Sequence, residues 1–122
     1  MSLVLIVDDE EPFRKMARRM LEAAGHQVVE AATGEECIRQ FHDLSPDIIV
    51  TDIVMPGKSG IEAILQIRAE DPSVRIIAVS GGGGVATGDF LSAARQAGAN
   101  QALQKPFRAD DLVNALDDGS RP

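Results

Sequence analysis

Four places in this chain carry residue types suited to phosphorus or metal chemistry: the adjacent acids Asp8 and Asp9, the lone acid Asp52, the hydroxyl of Ser80 and the ammonium of Lys105. Each follows a run with strand character: Leu3 to Val7, Ile48 to Thr51, Val74 to Val79, and a weaker run from Ala99 to Gln104. An acid at the end of an apolar strand is costly to desolvate, so its surroundings must solvate it, pair it or use it. Three carboxylates gathered at one point repel one another unless a cation joins them, and oxygen-only ligands suit a hard ion such as Mg²⁺. An aspartate beside such an ion can attack phosphorus and form an acyl phosphate. An ammonium and a hydroxyl nearby would stabilise the charge on the phosphoryl oxygens.

For these residues to meet, the strands that carry them must end along one rim. Leu3 to Val7 is apolar without alternation, as a parallel strand covered on both faces should be. Pro12 suits a first helical turn, and Phe13, Met16, Ala17, Met20, Leu21 and Ala24 recur at three- and four-residue spacing up to a left-handed cap at Gly25. The unit repeats. Gln27 to Ala31 reads as a more polar edge strand, Thr33 to Glu36 as a capping box, and the helix behind it runs to about Phe41. Pro46 opens the third strand, Ser59 to Glu62 is a second capping box, and the third helix carries Ile61, Ile64 and Leu65 and ends near Asp71-Pro72. After the fourth strand come four glycines, Gly81 to Gly84, then a helix with Phe90, Leu91, Ala94 and Ala97 closing at Gly98. The last helix carries Leu112, Val113 and Leu116, with Asp110 and Asp111 in its first turn.

Five strands alternating with five helices predict an α/β doubly wound, flavodoxin-like sandwich: a parallel sheet in the order 2-1-3-4-5 with right-handed crossovers. Ligands of such sheets bind at the carboxyl ends of the strands, beside the point where strand order reverses. With 122 residues, one domain is expected across residues 1–122, its core from about 3 to 117, with a fraying tail and no output domain after it. A net charge of −7 gives no footprint for direct nucleic-acid binding, and no apolar run approaches the ~20 residues a membrane span needs. The N-terminus lacks the basic segment and long apolar core of a signal peptide, and the single cysteine, Cys37, sits in a helical apolar pattern as packing. A cytoplasmic protein is expected. His26 and His42 lie away from the predicted rim, as exposed or partly packed residues rather than phosphocarriers or metal ligands.

Taken together, Asp8-Asp9, Asp52 followed by Met55-Pro56-Gly57, Ser80, and Lys105-Pro106-Phe107 resemble the receiver domain of bacterial two-component response regulators, especially stand-alone ones of the chemotaxis type. The resemblance covers essentially the whole chain. It implies a phosphorelay signalling switch, not an enzyme, in which Asp52 becomes a 4-aspartylphosphate. Asp9 and Asp52 would bind Mg²⁺ directly with the Val54 backbone carbonyl, and Asp8 through water. Lys105 would contact the acyl phosphate, and Ser80 would move towards it. The donor would be a sensor histidine kinase or a histidine phosphotransfer protein. The receiving partner would be an unidentified downstream protein or an attached output domain, and the state monomer or weak dimer. Partner surfaces in the family use the fourth helix, fifth strand and fifth helix, which makes Arg95, Gln96, Ala102 and Gln104 candidates. The peptide before Pro106 would be cis.

The chain also departs from that pattern. Ala102 stands where receivers usually carry an aromatic switch residue, so ring rotation cannot be the output signal. The glycine run suggests instead that phosphorylation orders the loop Gly81 to Gly84 as Ser80 is drawn in. Val54 and Gly82 offer no polar side chain to the water that hydrolyses the acyl phosphate, which predicts a phosphoryl lifetime longer than the fast chemotaxis type. Two other readings stay open at this level. Without its aromatic, the chain could be a degenerate receiver that binds partners without phosphorylation. An aspartyl-phosphate phosphatase on a similar sheet would need a second acid two residues after Asp52, and position 54 is Val. Taken singly, Asp8-Asp9 is an ordinary helix cap, Asp52 and Ser80 are turn formers and Lys105 is a surface lysine; only the set favours chemistry.

Overall fold

A computed structural model of the chain describes residues 2–53, 60–81, 87–105 and 107–117, for 87–91 and 117 the backbone alone. Its elements alternate: β1 (Leu3–Val7), α1 (Glu11–Ala23), β2 (Gln27–Ala31), α2 (Gly34–Leu44), β3 (Ile48–Asp52), α3 (Gly60–Glu70), β4 (Arg75–Ser80), α4 (Thr87–Ala97), β5 (Gln101–Gln104) and α5 (Ala109–Asp117). All the strand pairs are parallel, and the sheet order is β2-β1-β3-β4-β5, as the polar second strand and the alternation require.

The strands are apolar on both faces because helices cover both. Leu5, Val7, Ile49, Ile76 and Ala78 point to the layer built with Cys37, Phe41, Ile64, Ile67 and Ala94 from α2, α3 and α4. Val4, Ile6, Val50, Ile77 and Val79 point the other way, onto Ala17 and Leu21 of α1 and Leu112, Ala115 and Leu116 of α5. Burying each of the larger of these aliphatic side chains contributes about 1.5–3 kcal/mol. Cys37 belongs to this core, and burial pushes its thiol up to about 12, which leaves it inert as a nucleophile.

Local signals hold with adjustments. Thr33 caps α2 by accepting from the Glu36 amide at 3.0 Å, while Glu36 reaches back to the Ala32 amide at 2.7 Å. The helix runs on to Leu44 and ends at Ser45 in a left-handed conformation, φ 48°, a position where glycine would have been the visible signal. Gly25 ends α1 with φ 95° as expected. The stripe of α1 is narrower than its spacing implies, for Met16 is 41% exposed and Ala24 lies outside the core. Leu65 on α3 is likewise exposed. Strand β4 starts at Arg75 rather than Val74 because the Val74 amide is taken by the Asp71 carboxylate at 3.2 Å. Strand β5 starts at Gln101, since Asn100 pairs with Ile76 through its side-chain oxygen as well as its amide. Among the described residues no helix is long and apolar enough to cross a membrane.

Candidate functional site

The registers bring the strand ends level. Val7 pairs with Ala31 and Thr51, Asp52 with Val79, and Ser80 with Gln104, so the next residues along β1, β3, β4 and β5 crowd one rim. Asp8 leaves β1 with its amide still bonded to the Ala31 carbonyl at 3.1 Å. Its carboxylate is fully buried: the Glu10 amide donates to Oδ1 at 2.8 Å, and the Lys105 ammonium to Oδ2 at 2.7 Å. Asp9, the next residue, is exposed.

Asp52 ends β3 at 7% exposure, behind Thr51, whose buried hydroxyl donates to the Asp52 carbonyl at 2.9 Å. The start of α3 presses on this strand end. The Gly60 amide donates to the Ile53 carbonyl at 2.8 Å, and a Cβ at Gly60 would run into the Asp52 carbonyl oxygen and come within 2.8 Å of the Ile53 Cα. Only glycine lets the helix begin that close, so Gly60 sets where Asp52 stands.

Lys105 extends the β4–β5 ladder by one bond, its amide donating to the Ser80 carbonyl at 2.7 Å. Its stem then carries the ammonium across the rim, 2.7 Å from Asp8, 3.7 Å from Glu10 and 3.8 Å from Asp52, with the side chain 16% exposed. Ser80 is buried at 2% exposure, and its hydroxyl lies 3.4 Å from the Gly81 carbonyl, a weak contact.

The carboxylate oxygens of Asp8, Asp9 and Asp52 can be chosen within 4.8 Å of one another, so this group could hold a metal ion. Two carboxylates at such a distance repel by about 3–4 kcal/mol at an effective dielectric of ~20. The Lys105 ammonium offsets part of this repulsion, and a divalent cation would offset more of it. The all-oxygen donor set fits Mg²⁺ rather than a softer metal.

Asp8, Asp9, Asp52 and Lys105 are thus gathered, and Ser80 ends the strand between β3 and β5. Val54, Met55 to Gly57, the Ser59 cap, Gly82 to Gly84 and the peptide bond into Pro106 lie outside the described residues, as does the tail after Asp117. His26 is half-buried, bonded through Nδ1 to the Ser2 amide at 3.3 Å, and His42 is exposed beside Glu70 at 2.7 Å. Arg95, Gln96 and Gln104 are exposed and Ala102 half-buried. Two contributors are not evident from spacing. Gly60 reads as part of a capping box, and Phe13 reads as one more residue of an apolar stripe, yet the Lys105 ammonium sits 3.9 Å from the centroid of its ring.

Comparison with known proteins points in one direction. The family model described as the response regulator receiver domain matches residues 4–117. The chemotaxis protein CheY of Thermotoga maritima is 39% identical over 119 residues, 97% of each chain, and that of Listeria monocytogenes 36% over 122 residues, 99% of this chain and all of the other. A crystallised response regulator receiver domain protein from Clostridium thermocellum superposes with a TM-score of 0.87 at 30% identity, covering 96% of this chain and 92% of that one.

Proposed function

Because this chain belongs to the response regulator receiver domain family of two-component signalling, we propose that it is a phosphoacceptor switch that takes a phosphoryl group onto Asp52 from a histidine kinase or histidine phosphotransfer protein. Receiver domains act as signalling switches rather than classical enzymes. The observation that carries the reading is the gathering of Asp8, Asp9 and Asp52 beside the Lys105 ammonium at the carboxyl rim.

In this reading an Asp52 carboxylate oxygen attacks the phosphorus of the donor. A P–O bond forms as the P–N bond to the donor imidazole breaks, and the electron pair goes to that nitrogen, which takes up a proton. Asp52 suits the role because it is largely shielded from water at the end of a strand whose position is fixed by Gly60. Lys105, already 3.8 Å from Asp52, would hold the charge of the phosphoryl oxygens. Asp8 anchors that lysine until the phosphoryl group competes for it. Asp9 and Asp52, with the Val54 carbonyl, would hold Mg²⁺ directly, and Asp8 would do so through water. The ion, when bound, supplies Lewis-acid stabilisation of phosphoryl charge. Ser80 would turn from its weak contact with Gly81 towards the phosphoryl group. We place the protein in the cytoplasm, where its phosphodonor would be.

The test is incubation with acetyl phosphate and Mg²⁺ followed by intact mass measurement. A single gain of ~80 Da (the mass of HPO₃), lost with chelator and lost in Asp52→Asn, is expected. No gain would favour a partner-binding module that works without phosphorylation. Multiple turnover of a phosphate monoester would favour a phosphatase.

A further inference from the structure

The phosphoacceptor reading leaves unexplained why the key ammonium rests on an aromatic face. Lys105 Nζ lies 3.9 Å from the Phe13 ring centroid, and Phe13 meets Phe107 edge to face, with centroids 5.8 Å apart and planes at 88°. With Met16 these groups line an apolar recess of ≈ 250 Å³ beside the acidic cluster. Phe13 is carried by the first turn of α1, four residues after Asp9, so the ring is built into the same rim as the acids.

We infer that Phe13 is a positioning residue for Lys105, holding its ammonium by a cation–π contact while the ammonium turns from Asp8 to the phosphoryl group on Asp52. The inference rests on Asp52 being the phosphoacceptor. A hydrogen bond to Asp8 is directional and must loosen for Lys105 to serve a new anion. The attraction of a ring face is not directional in that way, so the ammonium stays tethered as it pivots between carboxylate and phosphoryl oxygens. The perpendicular Phe107 ring fixes the tilt of Phe13, so the face remains under the ammonium. An aliphatic side chain of similar size would fill the recess and give the charge nothing to rest on.

With acetyl phosphate the step balances without a proton: the Asp52 oxygen bonds to phosphorus, the bond from phosphorus to the acetyl oxygen breaks, and acetate leaves with the electron pair. Phosphorylation rates would be measured across acetyl phosphate concentrations, in Mg²⁺, for the wild type, Phe13→Leu, Phe13→Tyr and a fluorinated-phenylalanine series at position 13. The maximal rate should fall about tenfold in Phe13→Leu and stepwise with fluorination, which weakens the ring face while keeping its shape. Phe13→Tyr should stay within about twofold of the wild type, since its ring face is kept. The donor concentration for half-maximal rate should not move. The fluorinated ring separates charge from packing should Phe13→Leu fold poorly. Equal maximal rates across the fluorinated series would overturn the inference alone, as would loss in Phe13→Tyr equal to that in Phe13→Leu. A wild type that takes up no phosphoryl group would overturn the parent reading, and this one with it.

Discussion

The two rims of the sheet carry the same residue types and use them differently. At the amino rim, polar side chains fasten turns. Asp47 accepts from the Leu3 amide at 2.8 Å, Asp71 takes the Ser73 amide and hydroxyl, both at 2.8 Å, and Asn100 takes the Ile76 amide and the Arg68 guanidinium. At the carboxyl rim, Asp8, Asp9 and Asp52 meet one another and the Lys105 ammonium. At the amino rim the carboxylates serve the turns around them, whereas at the carboxyl rim they also have other carboxylates as neighbours. Substitutions at the two rims should therefore separate stability from phosphoryl uptake.

The largest effect is expected at Lys105. Lys105→Met strands the buried Asp8 carboxylate and should cost about 3 kcal/mol in denaturant unfolding without metal. It should also slow phosphoryl uptake by about a hundredfold. Next, Gly60→Ala forces a methyl group against the end of β3. A loss of about 2 kcal/mol is expected, together with slower uptake, because Asp52 cannot keep its place. At the other rim, Asn100→Ala removes the partner of the Ile76 amide and should cost about 1–2 kcal/mol while leaving the uptake rate unchanged. A slowed rate there would blur the comparison.

The smallest effect lies in pH dependence. The Ser73 amide and hydroxyl hold the Asp71 carboxyl below the usual carboxylate range. A folded pKa below the unfolded one of about 3.9 adds stability at neutral pH that is lost as pH falls through the folded value. The difference in Tm between the wild type and Asp71→Asn should therefore shrink as pH is lowered from 7 to 2. A constant difference would show that the charge does not matter. Glu30 on β2 should add acid sensitivity of the same sign: burial pushes its carboxyl up, but bonds from Arg18, Arg14 and Lys15 outweigh this and leave it lowered.

Much of this architecture is legible in the residues. The unbroken apolar runs of β1 and β3 require cover on both faces, and the polar residues of β2 push it to an edge, which together give the strand order. Polar residues after four strands mark the rim. What escapes is whatever depends on proximity without periodicity. Phe13 and Lys105 are 92 positions apart, and nothing in the helical stripe distinguishes a ring under a charge from a ring in the core. Asp8 and Asp9 are adjacent and alike, yet one is fully buried against Lys105 and the other is exposed, a difference that two identical neighbours do not announce. Ser45 closes α2 with a backbone conformation its side chain does not announce. The ends of β4 and β5 shift because Asp71 and Asn100 side chains replace ladder partners, a competition that strand propensity does not contain.

The central claim is that Asp52, of the three clustered acids, is the one that captures phosphorus. Phosphorylating the chain, reducing the acyl phosphate with borohydride and sequencing the peptides by tandem mass spectrometry would locate the modified residue directly. Homoserine at position 52 is the predicted result. Homoserine at position 8 or 9, or at no aspartate, would contradict the account.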